Sequence, residues 1–419
     1  MSEENTEQPV VYTNKNGLLY ANGKLIKNIK NLVALFTVDE ALQNLFIFNE
    51  FSRTIEYSKD AVWHDVKKGQ ELRDKDFIFV QYYIVHNKHV EWGIDKISNA
   101  IIQASESNKY NPIKEYLSNL IWDGELRLDT WLVNAVGAED GLYTRAVGSK
   151  FLMGSVARIF EPGVKFDNVL VLEGAENIGK STVFRTLSHP WFCDSIDLTQ
   201  SDKEIVEKMR GYWFLEVAEM FGVSDANQER IKSFLTRQDD VQRLPYDRLT
   251  GTFKRQSVFC ASSNKLSYLF GEEGNRRFWP VKCGALNIEW LKENKDQLFA
   301  EAVYRWKQGE DLFLNKELYE IAKKMQSEKL SVNEVWLNVI DRFLTGKNET
   351  TMQEVLCDCL KIDIKEVNNR TYSINAGRIL KRLGFEKKDC KGRSPRYWYI
   401  REEVIVQNEL NRINYQEEE

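Results

Sequence analysis

A lysine and two hydroxyls closing a glycine-bounded segment carry the strongest chemical signal in this sequence. Gly174-Ala175-Glu176-Asn177-Ile178-Gly179-Lys180-Ser181-Thr182 matches GxxxxGK[ST] in full. Glycines there let backbone N–H groups face phosphate oxygens, and a helix starting at the same point adds positive potential. In such a loop Lys180 reaches the β- and γ-phosphates of ATP, and the Ser181 hydroxyl binds Mg2+. The flanks agree with this chemistry. Residues 168–172 read NVLVL, a continuous apolar run suited to a buried parallel strand, and STVFRTL continues as a helix.

Three further groups follow in chain order. The run Gly211-Tyr-Trp-Phe-Leu-Glu216-Val-Ala-Glu219 is an apolar strand ending in carboxylates. Glu216, at the strand end, is placed to hold Mg2+ through its water shell, and Glu219 to orient or deprotonate the attacking water. Their spacing leaves these roles open to exchange, and a glutamate is also common at a helix start. A third strand, 257–264, ends at Asn264, whose amide suits a γ-phosphate and its lytic water, although Asn is also frequent in turns. Arg276 and Arg277 precede the strand-like FWPV. Either suits the charge of a phosphoryl transition state, in cis or across a subunit boundary; the plainer reading is a surface ion pair.

The elements that must hold these groups are legible from length and periodicity. With 419 residues, 29% of them charged and 42% hydrophobic, the chain is expected to form two or three globular domains. No apolar run reaches about 18 residues, and MSEENTEQP at the start is unlike a secretory signal. Six cysteines form no CxxC pair and four histidines are scattered, which argues against a zinc cluster and for a reduced, cytoplasmic setting. Residues 1–10 are expected to be disordered. Residues 11–110 read as a small α/β domain, with a strand at 78–85 and a helix at 94–105. It shows no carboxylate pair beside a histidine of the kind a primase-polymerase centre needs.

Residues 111–330 read as the ATPase core with a helical lead-in. Asn111-Pro112 caps its first helix, which places Ile113, Tyr116, Leu117, Leu120 and Ile121 inward. A long helix follows at 142–160. From 331 to 401 the spacing of Val332, Val335, Trp336, Val339, Ile340, Phe343 and Leu344 gives one helix. A second fits 352–360, a third fits 373–383 with Ser373 as cap, and two strands then flank a basic turn. Three helices and a hairpin make a winged-helix pattern. The net charge is −5, yet 371–401 holds nine Lys or Arg against two acids, while the tail 402–419 is acidic.

In order, NPIKEYLSNLIWDGELRLDTWL, RIFEPGVKFDNVLVLEGAENIGKST, WFLEVAEM, RLPYDRL, FCASSN and GNRRFWPV resemble the virulence-associated E family over roughly residues 110–285. That family is encoded by phages and mobile islands and is related to superfamily-three replicative helicases. The resemblance implies an α/β fold with an AAA+-like P-loop NTPase core, hexamer assembly and ATP-driven DNA translocation. It also implies a phosphate loop at 174–182, an acidic motif at Glu216, a sensor at Asn264 and an arginine finger at Arg276 or Arg277. Some relatives carry an N-terminal primase-polymerase module; here about 110 residues precede the core.

In the related helicases the stretch matching 236–256 is a hairpin that projects into the central channel. Here it carries Arg237, Arg243, Arg248, Lys254 and Arg255, with Tyr246 able to stack on a base and Asp239, Asp240 and Asp247 opposing. Arg243, Arg248 and Lys254 are the expected DNA contacts. On the winged-helix segment, Arg378, Lys381 and Arg382 suit a duplex groove, and Lys387, Lys388, Lys391, Arg393 and Arg396 decorate the wing beside Tyr397 and Trp398. Such a module can also dock a protein. The expectation is a cytoplasmic homo-hexameric helicase using ATP and Mg2+ on single-stranded or forked DNA, loaded through duplex contacts of the winged helix, with no membrane partner. The alternative is an origin-binding or interference factor that uses ATP as an assembly switch without unwinding.

Overall fold

Five short apolar runs send alternate side chains to opposite sides, and this builds the centre of the protein. In the strand Val169–Glu173, Leu170 and Leu172 enter one hydrophobic core while Val169 and Val171 enter another. The other runs are Phe192–Ile196, Phe214–Val217, Val258–Ser263 and Phe278–Lys282. All pair in parallel, which requires both faces to be covered. Helices Leu142–Phe160, Lys180–Ser188 and Ile288–Lys307 cover one face, and Asp202–Met209 and Asp225–Leu235 the other. The computed structural model describes residues 10–63, 66–217, 225–242, 250–264, 275–328, 332–363 and 370–401.

Across the sheet the order is Phe278–Lys282, Val169–Glu173, Val258–Ser263, Phe214–Val217, Phe192–Ile196. The strand Val258–Ser263 thus lies between the loop strand and the strand that carries Glu216. Ser263 is level with Glu173 on one side, and Cys260 with Glu216 on the other. The lead-in behaves as its cap foretells: the Asn111 side chain accepts from the N–H groups of Ile113 and Lys114, and helix Pro112–Asn119 buries Ile113 and Leu117. Ile121 does not follow them inward. The helix has ended, and Ile121 is 84% exposed.

Residues 78–85, expected as a strand, belong instead to helix Asp74–Lys88. Their β-branched and aromatic residues favour strands in general. Here Phe77, Val80 and Ile84 fall on one helical face and are buried, and the Asp76 carboxylate accepts from the Arg73 N–H at the first turn. The strands of the N-terminal region are Val11–Thr13, Leu19–Ala21 and Lys24–Leu25 in one antiparallel sheet, and Phe46–Asn49, Thr54–Tyr57 and Lys109–Tyr110 in another. Residues 1–9 and the acidic tail 402–419 lie outside the described residues.

The C-terminal segment gathers helices Val332–Leu344 and Arg370–Arg382 around a small core with Ile340, Leu344, Leu356, Ile379, Leu380 and Phe385. The element expected at 352–360 is wound as a π-helix over Glu354–Cys359, and Ser373, expected as the cap of the third helix, lies within Arg370–Arg382. Val335 and Val339, expected inward, are exposed. Strands Phe385–Asp389 and Tyr397–Arg401 pair antiparallel, with Glu349–Thr350 on the far edge. Among the described residues, no helix is long and apolar enough to cross a membrane.

Candidate nucleotide site and nucleic-acid-facing surfaces

The segment 174–179 leaves the sheet at the carboxyl ends of the strands and turns directly into helix Lys180–Ser188. Its first N–H, from Gly174, donates to the carbonyl of Ser263 on the neighbouring strand, at 3.0 Å. Gly179 stands at the helix N-cap with φ of 99°, a conformation that disfavours any residue with a Cβ. The Lys180 ammonium is buried and donates to the carbonyls of Gly174 at 3.0 Å and Ala175 at 2.6 Å. It therefore lies along the inner rim of the loop. The loop, the ammonium and the N-terminus of helix Lys180–Ser188 thus lie together, and a glycine loop at a helix N-terminus has the chemistry of an anion cradle.

The acid reaches this rim from two strands away. Ser181 Oγ donates to Glu216 Oε1 at 2.8 Å, and Ser262 on the intervening strand bonds the same carboxylate. Burial pushes the Glu216 carboxyl above the usual range, while the Ser262 and Ser181 hydrogen bonds pull it down. Asp194 adds a smaller upward push and Arg185 a smaller downward one. Ser262 belongs to a polar strand end, and its place in the chain assigns it no role. Only the order of strands reveals that it reaches Glu216 beside the loop. Asn264 is exposed, one residue beyond the Ser263 that holds Gly174. Glu219 lies outside the described residues.

Arg276 and Arg277 occupy the other end of the sheet. They form the turn Asn275–Arg277, and Phe278 after them is level with Val169, the first residue of the loop strand. The length of that strand, roughly 13 Å at about 3.3 Å per residue, separates them from the loop of the same chain. Arg277 Nε donates to Asp167 at 3.1 Å, and Lys165 approaches the same carboxylate at 3.3 Å. Arg276 is exposed. A surface cavity of about 230 Å³ opens here, lined by both arginines with Lys165, Asn168, Trp279 and Tyr319. Asp167 lies within RIFEPGVKFDNVLVLEGAENIGKST, but nothing in that stretch marks it as the partner of Arg277.

The expected nucleic-acid contacts divide into paired and open cations. Asp239–Gln242 and Gly251–Lys254 form an antiparallel ribbon, as expected of a hairpin. Its connecting residues, including Arg243, Tyr246, Asp247 and Arg248, lie outside the described residues. Lys254 pairs with Asp239 at 2.8 Å, and Arg255 is only 1% exposed because it forms a bidentate pair with Asp240. Arg255 is thus a structural cation and does not face a strand of DNA. In the C-terminal segment Arg393 pairs with Glu349, Arg396 with Asp389 and Lys388 with Glu386. Lys387 lies over the Tyr397 ring at 4.4 Å, and Arg393 over Trp398 at 3.8 Å. Lys381 and Lys391 are exposed without an ion pair among the described residues. Arg378 and Arg382 lie on helix Arg370–Arg382, with their side chains outside what is described.

Residues 117–331 match the model of the virulence-associated protein E-like domain. No curated protein matches the chain. Among solved structures, the apo structure of NrS-1 C terminal region (305-718) is similar at 13% identity and a TM-score of 0.41, covering 85% of this chain and 95% of that one. The A form apo structure of the same NrS-1 region is similar at 11% identity and a TM-score of 0.42, covering 90% of this chain and all of that one.

Proposed function

The chain belongs to the virulence-associated protein E-like family, and from that premise we propose that it is a Mg-ATP-dependent motor for the replication of a phage or mobile island. The observation that carries the reading is the junction of Ser181 and Glu216 beside the Lys180 loop, at the carboxyl edge of a parallel sheet. Ligands of open α/β sheets bind at that edge. In this reading the core is an AAA+-like P-loop NTPase. The residues Gly174, Ala175, Glu176, Asn177, Ile178 and Gly179 cradle the phosphates, Lys180 neutralises them, and Asn264 reports on the γ-phosphate.

The donors near the loop fit a hard cation. A serine hydroxyl and a carboxylate 2.8 Å apart present oxygen ligands only, and a cation there favours the ionised form of Glu216. Ser181 and Glu216 would hold Mg2+, which supplies neutralisation of the β- and γ-phosphate charge. Arg276 or Arg277 serves the loop of a neighbouring subunit, since both lie at the wrong end of the sheet for their own. In this reading the working form is a ring, a homo-hexamer. Residues 331–401 act as a winged helix on duplex DNA through Lys381, Lys387 and Lys391, and the 239–254 hairpin follows a single strand.

One observation favours the second reading, an origin-binding or interference factor that uses ATP as an assembly switch. Lys254, Arg255, Lys388, Arg393 and Arg396 are engaged by acids of the same chain, which reduces the charge offered to a moving phosphate backbone. Hydrolysis of ATP with and without single-stranded DNA, together with unwinding of a forked duplex, separates the two. DNA-stimulated turnover with unwinding, both lost in Lys180→Ala, is expected of the motor. Nucleotide-dependent DNA binding without unwinding would establish the switch, and turnover indifferent to DNA would overturn the motor.

A further inference from the structure

Away from the phosphate loop, a second cluster carries more positive than negative charge. Where the N-terminal region meets the sheet, Arg53 faces Arg210, Gly211, Asp240 and Arg255 around a small cavity. The seam is tied by Asn111 Nδ2 donating to Gln256 at 2.8 Å. Arg53 sits in a tight turn at φ of 57°, held by the Asn49 side chain, which accepts from the N–H groups of Phe51 and Ser52. Its guanidinium stacks 4.0 Å above the Phe253 ring. Among the described residues the guanidinium makes no ion pair and no hydrogen bond, and Asp240 acts on it only through space.

The acids nearby are already engaged. Asp240 gives both oxygens to Arg255, at 3.0 and 2.5 Å, and Glu71 comes no closer to Arg210 than 3.7 Å. Arg158, 1% exposed, feels Arg255 and the carboxylates of Asp240 and Asp167; its Nη2 donates to the Phe166 carbonyl, but Nε and Nη1 have no partner. Burial pulls Arg53 and Arg158 down to about 10, with Asp240 opposing in both cases. Around the cavity itself Arg53, Arg210 and Arg255 face the single carboxylate of Asp240, with the exposed Glu71 3.7 Å from Arg210, and removing charge from water without a counter-charge is costly.

We propose that this cavity is an oxyanion site in which Arg53 and Arg210 hold one phosphate group at the seam. Its volume, about 30 Å³, exceeds the roughly 10–15 Å³ that one water needs, so it has room for a small tetrahedral anion. Arg210 and Gly211 lead into the strand that carries Glu216, and Asp240 and Arg255 root the 239–254 hairpin. A bound phosphate thereby ties the N-terminal region to both. The source is either a nucleic-acid phosphodiester or free phosphate, and the site stands whether or not the loop hydrolyses ATP.

The full-length chain is titrated with inorganic phosphate against chloride at matched ionic strength, following the melting temperature. Wild type and Lys180→Ala are both expected to gain a saturable stabilisation, which separates this site from the phosphate loop. Arg53→Gln is expected to weaken the phosphate midpoint on the order of tenfold, and Arg53→Lys to keep part of it. Melting in chloride verifies that the variants fold, and Arg210→Gln on the opposite wall repeats the test should Arg53→Gln not fold.

Anisotropy of a labelled single-stranded oligonucleotide across salt identifies the source. A backbone phosphate in the cavity lowers the salt slope by about 0.7 in Arg53→Gln, whereas free phosphate leaves the slope unchanged. Equal phosphate midpoints and equal salt slopes in Arg53→Gln and wild type overturn the proposal. So does a stabilisation lost in Lys180→Ala and kept in Arg53→Gln.

Discussion

Ser181 Oγ and Glu216 Oε1 lie 2.8 Å apart although their elements are two strands distant in the sheet. The strand Val258–Ser263 fills the gap and adds Ser262 to the same carboxylate, so the acid is held from two sides. A carboxylate held this way is positioned before any ligand arrives, and such preorganisation is what electrostatic catalysis requires.

If the loop is the hydrolytic site, its two side chains separate by readout. Lys180→Ala is expected to lower ATP turnover on the order of 100-fold or more. Ser181→Ala is expected to raise the Mg2+ concentration needed for half-maximal rate. Steady-state hydrolysis as a function of Mg2+ measures both, and an unchanged Mg2+ requirement in Ser181→Ala would remove that hydroxyl from the site.

Glu216 makes stability depend on pH in a defined direction. Its carboxyl is raised above the usual value of 4.5, so the folded chain keeps the proton longer than the unfolded chain does. The ionised form then costs stability; that cost is absent below the ordinary value and grows as pH rises through the window above it. Glu216→Gln is expected to melt with the parent near about pH 4 and a few degrees, roughly 2–4 °C, above it near about pH 7. Parallel melting curves at both pH values would show that burial of this acid costs nothing.

Arginines at the far end of the sheet imply complementation between subunits. Lys180→Ala and Arg276→Ala are each expected to be inactive in hydrolysis, the second with ATP affinity retained. Mixed in equal amounts, they form intact sites at about a quarter of the interfaces. Recovery of turnover on mixing measures this, with Arg277→Ala as the parallel experiment. No recovery with either arginine would rule out a site shared between chains.

Arg255 and Asp240 form a pair with almost no exposure to water. Removing Asp240 leaves Arg255 buried without its counter-charge, at a cost of about 3–5 kcal/mol, whereas removing Arg255 leaves Asp240 beside Arg53 and Arg158. Asp240→Asn is therefore expected to shift the urea midpoint sharply downward, and Arg255→Met to shift it less. A larger loss from Arg255→Met than from Asp240→Asn would contradict this.

On the C-terminal segment, open and paired cations should behave differently toward duplex DNA. Lys381→Glu with Lys391→Glu is expected to weaken binding across all sequences and to reduce the salt slope by about 0.9 for each phosphate left without its cation. Arg396→Ala, whose guanidinium is held by Asp389, is expected to change binding little. Salt titrations of duplex affinity decide this, and a larger effect from Arg396 would mean that its ion pair opens on DNA.

Local chemistry was enough to read several elements from the chain: the apolar run before the loop, the glycine-bounded loop and helix, the Asn111 cap, and the strands that end near Glu216 and Asn264. These depend on near neighbours, namely turn glycines, a side-chain cap and apolar runs short enough for strands. Residues 78–85 went the other way. Strand-favouring side chains there form a helix, because burying Phe77, Val80 and Ile84 together outweighs intrinsic preference.

Which distant groups meet is a property of the folded molecule. Strand order brought Ser262 and Ser181 to one carboxylate, that of Glu216, sent Arg276 and Arg277 to the opposite edge, and placed Arg53 against Arg210. Folding also withdrew Arg255 from any surface and matched Arg393 and Arg396 with acids of the same segment. Charge read along a chain counts residues, whereas the field at a surface depends on which partners folding brings within a few ångströms.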